Sequence, residues 1–229
     1  MSPLIVLTGA AAIVLLAITL IGLLAGRSYR ASYFFAAYLA AVLLGDSLTY
    51  FWPQRFYVWS FWMARETVYA ALKLGIAVEI ARLASQSFPG AAATMRRTLL
   101  GVLAVGFALI VGALDANPGI EALATEVQPR LSQTTAFAFV AVWALALWYH
   151  LPLHAVHKLI LRGLVPYLVV FTLARGLIMS LGLKVWAGAN AADAISYVLV
   201  LCYWAWKTWT TRETDSAFIR ELQPWRSRL

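Results

Sequence analysis

The chain has 229 residues, of which 62% are hydrophobic and 12% are charged, and its mean hydropathy is +0.78. Such a composition is typical of a polytopic membrane protein and excludes an ordinary soluble domain. The net charge of +8 does not indicate nucleic acid as a partner, because the basic residues cluster at the ends of apolar segments, where lipid headgroups attract them. The single cysteine, Cys202, excludes an internal disulfide.

Seven apolar segments are long enough to cross a hydrocarbon core about 30 Å thick, which needs roughly 20 helical residues. They are Leu4–Ala25, Ala31–Trp52, Trp59–Ala84, Thr98–Leu114, Leu131–Leu151, Leu159–Leu181 and Ala191–Trp209. The sequence therefore predicts an all-α polytopic membrane protein, with a seven-transmembrane-helix bundle in residues 1–209 and a short polar tail in residues 210–229. Glycine pairs, Gly101 with Gly112 and Gly176 with Gly182, are expected to let helix backbones approach closely.

The distribution of lysine and arginine predicts the orientation of the bundle. Basic residues are concentrated around 27–30, 82–97, 158–162 and 207–228, which all fall on one side if the helices alternate in direction. Loops rich in lysine and arginine stay in the cytoplasm. The N-terminus is therefore predicted outside and the C-terminus inside.

The third segment carries charges that are costly in lipid, roughly 2.5–3.5 kcal/mol each near the bilayer centre on insertion scales. Helical spacing places Trp62, Glu66, Tyr69, Lys73, Ala77 and Ile80 on one stripe. Asp46 in the second segment and Arg175 in the sixth fall in the same predicted outer half of the membrane as Arg65. The predicted site is an outward-facing charged pocket or, alternatively, a buried ion-pair network, made by Asp46, Arg65, Glu66, Tyr69, Lys73 and Arg175.

Two residues of this segment lie nearer its cytoplasmic end. Glu79 and Arg82 are one helical turn apart and are expected to form a local pair with no function.

The three histidines are His150, His154 and His157, at a spacing of i, i+4 and i+7. On one helix this spacing would suit a metal ion or haem iron, but Pro152 is expected to end helix five near Leu151 and to put His154 and His157 in the turn or at the start of helix six. No acidic residue lies nearby to complete a metal site. The favoured interpretation is a basic cytoplasmic rim, formed with Lys158 and Arg162, beside lipid phosphates.

A retinal protein carries its lysine in the middle of the last helix, whereas Lys207 lies at the end of Ala191–Trp209, so retinal is excluded as a cofactor. The helix from Glu66 to Arg82, the run Arg162-Gly163-Leu164-Val165-Pro166-Tyr167, and the last helix with Trp204 and Trp206 resemble an uncharacterised group of small seven-helix bacterial membrane proteins. That resemblance implies a bacterial inner-membrane location and brings no activity.

The sequence favours a non-enzymatic membrane module, either sensor-like or an accessory subunit of a larger membrane complex, whose partners are membrane lipids and another membrane protein. The alternative is an intramembrane enzyme acting on a lipid or prenyl substrate, with Asp46, Glu66 or the histidines as acid-base groups. A transporter is less favoured, because no inverted repeat or broken helix pair is visible.

Overall fold

The computed structural model describes residues 3–87, 128–150 and 153–210, and scattered positions between 93 and 108. This part of the chain is helical and contains no strand. The helices are α1 (Pro3–Ala25), α2 (Tyr33–Phe51), α3 (Pro53–Phe56), α4 (Trp59–Ser87), α5 (Gln128–Trp148), α6 (Ala155–Leu181) and α7 (Leu183–Thr210), with a 3₁₀ turn at Ser28–Ala31.

Five of the described helices are long and apolar enough to cross a membrane: Leu7–Ala25, Tyr33–Phe51, Arg130–Trp148, Ala155–Ile178 and Lys184–Thr210. This finding confirms a helical protein with several possible membrane spans. Helix α4 coincides with the third predicted segment and is long enough to cross a membrane, but its charged residues distinguish it from these five helices. The fourth predicted segment, Thr98–Leu114, lies largely outside the described residues, and so does the predicted tail.

The six long helices that the structure describes form a closed ring in which each packs mainly against two of the others, in the order α1, α2, α4, α5, α6 and α7. The ring closes between α7 and α1, where Trp209 Nε1 donates a hydrogen bond to the carbonyl oxygen of Ile18 at 3.2 Å. In the interior the rings of Phe35 and Trp204 meet edge to face with 5.0 Å between centroids. The core is therefore apolar and contains aromatic side chains, which bury large apolar areas.

One end of the ring is basic. Here α1 ends, α2 and α6 begin, and α4 and α7 end, which brings together the positions of Arg27, Arg30, Arg82, Lys158, Arg162 and Lys207. We call this the basic end and the other the opposite end. Glu79 lies toward the basic end of α4, and its carboxylate accepts hydrogen bonds from Ser32 Oγ at 2.5 Å and from the Tyr33 N–H at 3.2 Å. The contacts of Glu79 thus cap the start of α2, because the first N–H groups of a helix lack partners within it.

The connection between α5 and α6 follows the predicted break. Helix α5 ends at Trp148, His150 has a left-handed φ of 49°, and α6 begins at Ala155. His154 caps α6, since its Nδ1 accepts a hydrogen bond from the Val156 N–H at 3.3 Å. The predicted positions of His154 and His157 are therefore confirmed. Helices α6 and α7 start several residues earlier than their apolar segments, because each helix continues through polar residues that the hydropathy pattern excluded.

Close packing involves glycines other than the predicted ones. A Cβ atom at Gly163 would overlap the indole of Trp204, with only 2.8 Å to its Cε2, and one at Gly22 would overlap the indole of Trp209. By contrast, a Cβ at Gly101, Gly176 or Gly182 would meet no atom of the described residues within 4 Å. The expectation for those three positions was wrong, and Gly112 lies outside the described residues.

Candidate functional site

Arg65 is the centre of a charged cluster between α2 and α4. Its Nη1 donates to Asp46 Oδ1 at 3.4 Å and to Thr49 Oγ1 at 3.5 Å, while its Nη2 donates to Glu66 Oε1 at 3.4 Å. The side chains of Arg65, Asp46 and Glu66 are 19%, 27% and 21% exposed, so all three are largely withdrawn from solvent. One guanidinium therefore contacts two carboxylates, and such pairing is the usual way for charges to be tolerated inside a helical bundle.

Gly45 makes this arrangement possible. A Cβ atom at Gly45 would overlap the Tyr69 hydroxyl and approach Arg65 Cδ to 2.8 Å, so the absence of a side chain lets α2 and α4 come together here. The Tyr69 hydroxyl lies 3.3 Å from the carbonyl oxygens of Ala41 and of Val42, to which it donates. Tyr69 therefore joins the two helices, and its hydroxyl donor is already in use.

Helix α7 contributes a residue that the sequence interpretation missed. The Tyr197 hydroxyl donates to Asp46 Oδ2 at 3.4 Å, and its ring lies 5.6 Å, centroid to centroid, from that of Tyr167 on α6. The available signal was the pair of polar side chains at Asp193 and Tyr197, one turn apart in a largely apolar segment. The charged cluster thus extends from α2 and α4 to α7.

Lys73 lies on the same stripe as Glu66 and Tyr69 but deeper in the bundle. It is only 8% exposed, and Glu66 is the acid in electrostatic contact with it. Among the described residues it makes no hydrogen bond and no ion pair. The predicted inward direction of this stripe is confirmed, because Tyr69, Lys73, Ala77 and Ile80 are all buried.

Arg175 stands apart from this cluster. It is exposed, its Cζ lies 5.4 Å from the ring centroid of Phe171, and Asp193 is the acid that interacts with it electrostatically. Asp193 Oδ1 is buried without a hydrogen-bond partner among the described residues, as is Arg65 Nε. The structure therefore brings Asp46, Arg65, Glu66 and Tyr69 into contact, places Lys73 beside them, and leaves Arg175 outside the cluster.

The three histidines have separate structural surroundings. His157 is 3% exposed, and its Nε2 donates to the carbonyl oxygen of Ala31 at 2.8 Å, so it is not part of a solvated basic rim as expected. The rings of His154 and His157 are 6.0 Å apart, whereas His150 is exposed, with Nδ1 3.3 Å from the Trp148 oxygen. Within the described ranges, no group of three or more histidine, cysteine or acidic side chains is placed to hold a metal ion.

No protein-family model matches the chain, and no curated protein or solved structure matches it. The fold and the charged cluster define a class: a helical protein with five described helices able to cross a membrane. The Arg65-centred cluster lies in the half of the ring toward the opposite end.

Proposed function

We propose that the protein is a non-enzymatic integral membrane module of the bacterial cytoplasmic membrane, either sensor-like or an accessory subunit of a larger membrane complex. It is a seven-helix bundle with its N-terminus outside. The charged cluster of Asp46, Arg65, Glu66 and Lys73 lies in the outer half of the membrane and binds a small polar or anionic ligand.

The observation that carries this proposal is that the buried ammonium group of Lys73 has no partner among the described residues. A purely structural network inside a bundle pairs its charges, because an unpaired buried charge is costly. Arg65 is paired with two carboxylates, whereas the Lys73 ammonium has no hydrogen bond or ion pair among the described residues. An anionic group on a ligand would complete the coordination of Lys73.

Native mass spectrometry of the full chain, purified from bacterial membranes in mild detergent, tests the ligand. We expect the wild type to carry a small bound mass that Lys73→Met loses and that Lys184→Met keeps, since Lys184 is exposed at the opposite end. Lys73→Met should remain folded, because replacing an unpaired buried charge by an apolar side chain of similar volume is neutral or stabilising. A wild type without bound mass, or a bound mass unaffected by Lys73→Met, would contradict the proposal.

Two further measurements separate the versions of this function. Copurification of a second membrane protein in stoichiometric amount supports the accessory subunit, and a monomer with a bound small molecule supports the sensor. The alternative of an intramembrane enzyme would use Asp46 or Glu66 in proton transfer. Turnover of a lipid or prenyl substrate by the reconstituted chain, abolished in Asp46→Asn, would replace our proposal by that alternative.

A further inference from the structure

A second polar feature lies at the basic end, away from the charged cluster. It is a cleft of about 180 Å³ between the end of α1, the start of α6 and the end of α7. One water occupies roughly 30 Å³ in the liquid, so the cleft has room for a larger group. Its polar lining is contributed by Ser28, Lys158, Arg162, Tyr203, Lys207 and Thr208.

The lining is strongly one-sided in charge. Lys158 and Arg162 are four residues apart on α6, where side chains share a face, and like charges at that spacing disfavour the helix. Lys207 comes from α7, and its Nζ lies 4.5 Å from the ring centroid of Trp206. Among the residues that the structure describes, no acid lines the cleft. The described acid nearest this end of the ring, Glu79, is hydrogen-bonded to the start of α2.

The remaining groups suit a tetrahedral oxyanion. Arg162 is exposed and presents a planar set of donors that matches phosphate oxygens, and Lys207 adds a point charge from the facing helix. The Tyr203 hydroxyl has no hydrogen-bond partner among the described residues and is a further donor. Leu159 supplies an apolar wall beside these groups.

We propose that this cleft binds a phosphate group, with Arg162 and Lys207 as its principal ligands. The phosphate belongs either to the headgroup of an anionic phospholipid or to free inorganic phosphate. In both cases α6 and α7 each donate charge-assisted hydrogen bonds to the phosphate group. The bound phosphate therefore connects these two neighbouring helices.

The test uses the full chain in dodecyl maltoside and its apparent melting temperature. Dihexanoyl-phosphatidylglycerol is titrated in one arm and sodium phosphate in the other, at constant ionic strength so that general screening does not change. A ligand that binds the folded state raises the melting temperature with concentration. The variants are Arg162→Gln with Lys207→Gln, and a control, Arg55→Gln with Lys184→Gln, which removes the same charge from exposed residues elsewhere.

We expect the first double variant to need at least about tenfold more ligand for the same shift, because each lost charge-assisted hydrogen bond contributes a factor of this order. The control should respond nearly as the wild type does, and Arg162→Lys, which keeps the charge but loses the planar set of donors, should lose only part of the response. A response to the lipid alone identifies a headgroup, and a response to inorganic phosphate with the same variant dependence identifies the free anion.

Other outcomes overturn the proposal. These are the absence of any shift in the wild type with either ligand, an undiminished response in the first double variant, or an equal loss in the control, which would indicate a nonspecific effect of net charge. If that double variant does not fold, Lys207→Gln alone decides the question, with an expected loss of several-fold in apparent affinity.

Discussion

The Tyr197 hydroxyl on α7 donates to Asp46 Oδ2 on α2 at 3.4 Å, although 151 positions separate the two residues. Asp46 Oδ1 accepts from Arg65 on α4 at the same time. One carboxylate therefore connects three helices. Because buried polar networks lose the most when one member is removed, this residue and its partners are where substitutions should have their largest effect on stability.

Arg65→Met should destabilise the protein by about 1.5–3 kcal/mol, because it leaves Asp46 and Glu66 without their cation. The free energy of unfolding, measured by denaturant titration in detergent, checks this. Arg55→Met is the matched control: Arg55 is exposed, so its change should stay within about 0.5 kcal/mol. Equal effects of the two substitutions would contradict the central position of Arg65.

Glu79→Ala should cost about 0.5–2 kcal/mol of stability, the usual effect of losing a helix cap, since the Tyr33 N–H and Ser32 hydroxyl lose their acceptor. Glu79→Gln keeps a carbonyl acceptor and should lose less. Unfolding curves of the two variants give the comparison. If Gln and Ala destabilise alike, charge rather than hydrogen bonding holds this contact.

Gly163→Ala should destabilise by about 1–3 kcal/mol, because the added Cβ overlaps the Trp204 indole and forces it to move. Trp204 Nε1 also donates to the Leu159 oxygen at 3.3 Å, so displacement endangers this hydrogen bond. Gly176→Ala adds the same atom to the same helix where nothing lies within 4 Å. It should be neutral or stabilising, since alanine favours the helix by about 1 kcal/mol. Melting temperatures of the pair measure the difference.

The proposed orientation predicts a labelling pattern in a Cys202→Ala background. A maleimide that cannot cross membranes should label Arg55→Cys in intact bacterial cells and should label Arg30→Cys only after lysis, because the two exposed residues lie at opposite ends of the ring. Labelling of Arg30→Cys alone in intact cells would reverse the orientation.

Helical periodicity was sufficient to predict the inward stripe of α4. The spacing of Glu66, Tyr69 and Lys73 fixes one face, and the cost of charge in lipid determines that this face turns inward. The location of Asp46 beside this face was predicted as well, because a short turn between two helices makes them antiparallel neighbours.

Contacts between distant segments were not predictable in this way. The proximity of Tyr197 to Asp46 depends on α7 returning beside α1 in the ring. Glu79 had an obvious neighbour one turn away in Arg82, but the hydroxyl that binds it lies 47 positions earlier. Likewise, the glycine spacing indicated Gly176, whereas the position of the Trp204 ring makes Gly163 the necessary one. The local sequence pattern identifies the buried face of a helix, but the packing of the whole ring determines which residues contact that face.

The closure of the ring between α1 and α7 has a consequence for biogenesis. Thr19, Leu16 and Leu23 of α1 are buried, and the contact from Trp209 to Ile18 spans 191 positions. During translation α1 is complete well before α7 has been made. Until then, the surface of α1 that packs against α7 is covered by lipid or by an insertion factor. The last joint of the ring therefore forms late, and a ribosome that stalls before α7 would leave an open bundle for membrane proteases to recognise.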